Sequence, residues 1–145
     1  MPAPQQVIKD LIIGIDHVGL AVNNLDSAIE YWLTNFGAEL NSREINEDQG
    51  VEEALLRFSN NSQIQLLAAT STESPIGKFL AKHGEGVQQI AFKVSSLETA
   101  TSLLANRDIP MVYPAPKKGS NNTKINFIHP KYAGGVLLEL VEYPA

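Results

Sequence analysis

The chain is 145 residues long, 43% hydrophobic and 19% charged, with a formal net charge of −5; that length suits one compact domain, and the apolar share is enough for a core. An acidic balance with no basic run longer than Lys117 and Lys118 excludes a protein that coats nucleic acid through its phosphates, and no apolar stretch approaches the roughly 20 residues of a membrane span. Without cysteine there is neither disulfide nor thiolate chemistry, a cytoplasmic location is the expectation, and any metal must be held by nitrogen and oxygen.

The opening MPAPQQVIKD lacks the basic-then-apolar order of a secretory signal. Residues 13–22 alternate, with Val18, Leu20 and Val22 on one face and Ile15, His17, Gly19 and Ala21 on the other. A strand is predicted there, its small residues leaving open space beside the His17 imidazole. Asn23, Asn24 and Asp26 supply N-cap chemistry to a helix whose stripe Leu25, Ala28, Ile29, Trp32, Leu33 and Phe36 closes at Gly37; Trp32 and Phe36 are read as core. Strands follow over residues 38–45, 51–58 and 62–69, with turns at 47–50 and 60–61. In the middle strand Glu53 shares a face with Val51 and Leu55, while Glu52 points the other way, toward solvent. Beyond a polar connector, Pro75, Ile76, Phe79 and Leu80 predict a short linking helix ending near Gly84. A strand over 87–94, a helix over 97–106, a short strand over 111–113 and strands over 125–129 and 136–143 complete the chain. Residues 114–122, rich in Pro, Lys, Gly and Asn, read as a long hairpin loop able to cover a ligand.

A shift of 72 residues lays His17 on Gln89, Leu25 on Leu97 and Ala28 on Ala100, and a shift of 74 lays Gln65 on Glu139. A repeat of this length implies two copies of one β-α-β-β-β unit that close a core only together. The predicted fold is a single α+β domain of paired βαβββ modules, the first over residues 11–69 and the second over 86–143, with the linking helix over 74–84. The modules are expected to form a curved, mostly antiparallel sheet with a concave metal site. Gln63, Gln65 and Leu67 share one face of their strand, as do Leu137, Glu139 and Val141. A carboxylate at Glu139, between two leucines in mid-strand, costs several kcal/mol if buried alone; metal coordination is one way to satisfy it.

The segments IDHVGLAV, EDQGVEEALL, IQLLA, SPIGKFLAKHGEGVQQIAFKV and KINFIHPKYAGGVLLELVEYP together resemble the vicinal oxygen chelate superfamily, and within it the methylmalonyl-CoA epimerase branch. The last segment, with HPK, GGVL and LEL in order, is the most specific. The resemblance implies one divalent metal ion (Co, Zn, Mn or Mg) with His17, Gln65, Gln89 and Glu139 as its ligands. Gln89 departs from the family pattern, which carries histidine there and another where Gln88 stands. A neutral amide oxygen is harder and weaker than imidazole toward Zn²⁺ or Co²⁺, which moves the preference toward Mn²⁺ or Mg²⁺.

The implied reaction is interconversion of (R)- and (S)-methylmalonyl-CoA by 1,1-proton transfer through an enolate, with Glu53 and Glu139 as the acid/base groups. The implied partners are an acyl-CoA substrate and a second copy of the chain in a homodimer. Two alternatives stay open: a related metal-dependent lyase or isomerase acting on another acyl-CoA or a hemithioacetal, and a non-catalytic small-molecule-binding module. His83 reads as a helix-end group and His129 as part of a turn or of the acyl-CoA entrance. Lys117, Lys118, Lys124 and Lys131 read as surface charges whose cluster would attract CoA phosphates.

Overall fold

The computed structural model describes residues 4–145, with side chains from Ile8 onward. The chain divides into two compact units: a first of His17–Gln89, and a second made of the residues up to Asp16 together with Ile90–Ala145. Each repeats the predicted β-α-β-β-β order, so the α+β class and the paired modules of the sequence reading are found. The boundaries between the units fall inside two strands, at Asp16/His17 and Gln89/Ile90, rather than between modules.

The first unit holds the later part of β1 (Ile12–Ala21), α2 (Leu25–Phe36), β2 (Glu39–Asn46), β3 (Val51–Arg57), β4 (Gln63–Ala69), α3 (Pro75–His83) and the start of β5 (Gly86–Val94). Its strands lie in the order β2-β3-β4-β1-β5. β3 is antiparallel to β2 and β4, and β1 runs parallel to β4 with Gly19 opposite Gln65. Two-residue periodicity then assigns the faces. Leu20, Val22, Ala54, Leu56, Leu66 and Ala68 turn toward the α2 stripe of Leu25, Ala28, Ile29, Trp32 and Leu33. Ala21, Val51 and Leu67 turn the other way, against Ile76, Phe79 and Leu80 of α3.

Both helices begin where the sequence says they must. The Asn24 side chain accepts from Ser27 N, the Ser74 hydroxyl accepts from Gly77 N, and Gly37 closes α2 in the left-handed conformation. Phe36 is not core, contrary to expectation: as the last residue of α2 it lies 54% exposed, edge-on to Tyr31 and tilted against Trp32. The hydrophobic stripe outruns the sheet it packs on by one turn.

The second unit contains α1 (Pro4–Leu11), the rest of β1 and β5, α4 (Leu97–Ala105), β6 (Lys117–Lys118), β7 (Lys124–Ile128) and β8 (Leu137–Glu142), with strand order β5-β8-β7-β6. Val94, Leu97, Ala100, Ile128 and Leu140 form a core with Leu11, and Ala91, Ile125, Phe127 and Val141 form another. Helix α1 was not expected. The strand predicted at residues 111–113 is also absent. The Asn126 amide replaces it, donating to Tyr113 O and accepting from Tyr113 N, both at 3.1 Å, while Val112 N donates to Phe127 O. The second strand of this module is instead β6, inside the stretch read as a hairpin loop, followed by a 3₁₀ turn at Ser120–Asn122.

Candidate active site

Four of the predicted site residues come together in the first unit, on the face of the sheet that α3 packs against. His17 and Gly19 lie two apart on β1; Gln65 on β4 pairs with Gly19. Glu53 on β3 pairs with Leu67, one step diagonal from Gln65. Gln65 Nε2 donates to Glu53 Oε2 at 3.1 Å, and Gln89 Nε2 donates to Gln65 Oε1 at 3.4 Å. His17, Glu53, Gln65 and Gln89 are all buried, none more than 6% exposed. Burying this many polar groups beside Val51 and Leu67 is costly unless they bond to partners; the row Gln89–Gln65–Glu53 meets part of that demand, through Glu53 Oε2 and both amides, and does not include His17. The space read as open beside His17 is occupied by the Gln89 side chain.

Glu52 and Glu53 separate as their parity requires. Glu52 accepts from Arg43 Nε at 3.1 Å, and Arg43 Nη1 also meets Asp26 of α2 at 2.6 Å. Hydrogen bonds to Asp26 and then to Glu52 raise the Arg43 pKa above its ordinary value. This pair belongs to the outer surface of the unit, whereas Glu53 lies within.

Glu139 belongs to the second unit. It sits on β8 opposite Phe127 of β7, 6% exposed, on the face that carries Leu137, Val141 and Ile125. Leu138 and Leu140 turn to the other face, into the core beneath α4. The neighbouring Glu142 has a structural task, accepting from Leu97 N at the start of α4 at 2.7 Å. His129 Nδ1 accepts from Lys131 N and closes the turn before β8. Lys117 lies over the Tyr113 ring, Lys131 over Tyr132, and Lys124 lies 3.9 Å from Glu142. His83, the last residue of α3, stacks on Phe79.

Residues 16–127 match the family model of the Glyoxalase/Bleomycin resistance protein/Dioxygenase superfamily. The chain belongs to this superfamily. Among superfamily members, the mitochondrial methylmalonyl-CoA epimerase of Dictyostelium discoideum is 30% identical over 138 residues, covering 94% of this chain and 82% of that protein. The crystal structure of methylmalonyl-CoA epimerase from Mycobacterium tuberculosis superposes with a TM-score of 0.91 at 46% identity, covering 100% of this chain and 94% of that one. A methylmalonyl-CoA epimerase solved in complex with methylmalonyl-CoA and NH4+ superposes with a TM-score of 0.87 at 39% identity, covering 93% and 96%.

The superfamily resemblance implies a divalent ion, and the donors on this face fit one. Among the described residues no group of three or more His, Asp or Glu is placed to hold a metal. The donors are therefore weighted toward amides: the Gln65 and Gln89 carboxamides already meet within hydrogen-bond distance, on the same face as the His17 imidazole. With an N–H of one amide directed at the oxygen of the other, two oxygens converge on a cation only if the Gln89 amide turns over. That rotation about a terminal sp³–sp² torsion is soft. One imidazole with neutral oxygen donors suits a hard divalent ion better than a thiophilic one.

Proposed function

We infer that the protein is a methylmalonyl-CoA epimerase, an isomerase that interconverts the (R) and (S) epimers of methylmalonyl-CoA. The observation that carries this reading is the buried Glu53 carboxylate, held by the Gln65 amide N–H on the same face as His17 and Gln89, in a chain whose relatives bear that name. The carbon to be inverted lies between a carboxylate and a thioester, so its proton is acidic enough for a carboxylate base assisted by charge stabilisation.

Glu53 takes the proton from one face of the substrate carbon, and the resulting enolate is reprotonated on the opposite face. Glu139 is assigned that second transfer, and reversal of the two roles runs the reaction backward. One proton leaves and one returns, so substrate and product have the same composition. The bond from Gln65 fixes the rotation of the Glu53 carboxylate, and the apolar surroundings of Val51 and Leu67 keep water from competing for the enolate. His17, Gln65, Gln89 and Glu139 are the proposed ligands of a divalent ion, with Mn²⁺ or Mg²⁺ favoured by the amide donors. When bound, such an ion supplies Lewis acidity toward the substrate's carboxylate and thioester oxygens.

A homodimer and a cytoplasmic location go with this reading. Separately, among the described residues no helix is long and apolar enough to cross a membrane.

The test is incubation of the metal-loaded protein with a single epimer of methylmalonyl-CoA in deuterated water. Deuterium is expected at the carbon between the two carbonyls, together with loss of epimeric purity. A folded, metal-loaded protein that leaves that proton unexchanged overturns the assignment.

A further inference from the structure

Gln65 and Gln89 stand on β4 and β5, the strands on either side of β1. Side chains two strands apart are separated at the backbone by about 10 Å, yet these two amides touch at 3.4 Å. They do so across Gly19, the β1 residue in register with Gln65. A Cβ on Gly19 would lie 2.5 Å from Gln89 Cγ, 3.2 Å from Gln89 Cδ and 3.1 Å from Leu67 Cδ1. The backbone does not require glycine here, because Gly19 is not among the glycines of positive φ. The space requires it.

We propose that Gly19 is a positioning residue: the side chain it lacks is the gap through which Gln89 crosses β1, bringing donors from β4 and β5 to one point. The nearest atom to the missing Cβ is Gln89 Cγ, two bonds from the backbone, so the clash is not relieved by moving the tip of the side chain. Gln89 is 5% exposed, and a change of its inner torsions withdraws the amide from Gln65. Leu67 Cδ1 needs to give only a few tenths of an ångström, which a leucine rotamer supplies. His17, two residues away on the same strand face, keeps its place. That the two amides serve a cation rests on the epimerase reading; that Gly19 lets them meet does not.

The experiment compares Gly19→Ala, Gln89→Ala and the double variant. In metal-free protein, Gly19→Ala is expected to move the side-chain amide NMR resonances of both Gln65 and Gln89 and leave that of Gln49 in place. In the Gln89→Ala background the same substitution should leave the Gln65 resonance unchanged. With Mn²⁺ as the probe, Gly19→Ala should weaken binding tenfold or more, and add less than twofold when Gln89 is already alanine. Unmoved amide resonances, or an equal effect of Gly19→Ala in both backgrounds, overturn the proposal. Should Gly19→Ala fail to fold, folding of the double variant supports the clash with Gln89, and failure of both refutes it. If the wild type itself does not bind Mn²⁺, the cation reading fails while the amide resonances still decide the role of Gly19.

Discussion

At the residue scale, chemistry is concentrated in a few side chains whose neighbours fix what each does. Glu53 accepts from Gln65, so Glu53→Gln keeps the shape and an acceptor for that bond while removing the base. The expected result is a fall in kcat of about 10²–10⁴-fold with little change in KM; a kcat within threefold of wild type would remove Glu53 from the mechanism. Gln89→His exchanges an amide for an imidazole, and the preference of borderline ions such as Zn²⁺ and Co²⁺ for imidazole nitrogen predicts that they bind at least tenfold tighter by chelator competition. Unchanged affinity would place Gln89 outside the coordination sphere. The repeat paired His17 with Gln89 and Gln65 with Glu139, and strand parity placed Glu53 on the face of Val51 and Leu55; the roles given to these residues came from the family resemblance. The sequence did not reveal that Gln89 fills the gap at Gly19, since a contact reaching over an intervening strand has no periodic signature.

At the element scale, strands and helices with strong local signals appear where their caps and alternation place them, and failures occur where a tertiary bond substitutes for a local one. The segment at residues 111–113 is β-like in composition, but beyond the bond from Val112 N to Phe127 O its backbone at Tyr113 is held by a side chain. Asn126, 2% exposed, bonds Tyr113 N, Tyr113 O and Phe127 N, supplying by one amide what a strand rung would. Asn126→Ala should therefore cost about 1–3 kcal/mol, because two part-buried backbone groups of Tyr113 and the buried Phe127 N lose one shared partner. Urea unfolding reads this directly, and a loss under about 0.5 kcal/mol would mean that Tyr113 finds other bonds. Helix α1 illustrates the opposite limit. A helix of eight residues is too short to be stable by its own propensity, so its existence depends on packing, here through Leu11 in the core beneath α4.

At the scale of the whole molecule, the duplication is the strongest information in the chain, and the structure shows how much it determines. Corresponding positions have corresponding tasks: Leu25 and Leu97 open α2 and α4, lie 4% and 1% exposed, and each anchors its helix to the core of its own unit. The repeat did not predict that the compact units divide within β1 and β5, because strand partnership is set by pairing across the sheet and not by order along the chain. If duplication assigns energetic as well as geometric roles, Leu25→Ala and Leu97→Ala should be equivalent. Each removes a buried leucine side chain from a packed helix–sheet contact, for which a cost of about 2–5 kcal/mol is expected. Neither touches the cap of its helix: Asn24 and Ser96 remain, and the bond from Leu97 N to Glu142 is made by the backbone. The two losses should then agree within about 1 kcal/mol when compared by urea midpoint at constant m. A cost below about 1 kcal/mol at Leu25 with a loss above about 3 kcal/mol at Leu97 would mean that the copies have diverged in how they hold their helices, even though they share a fold.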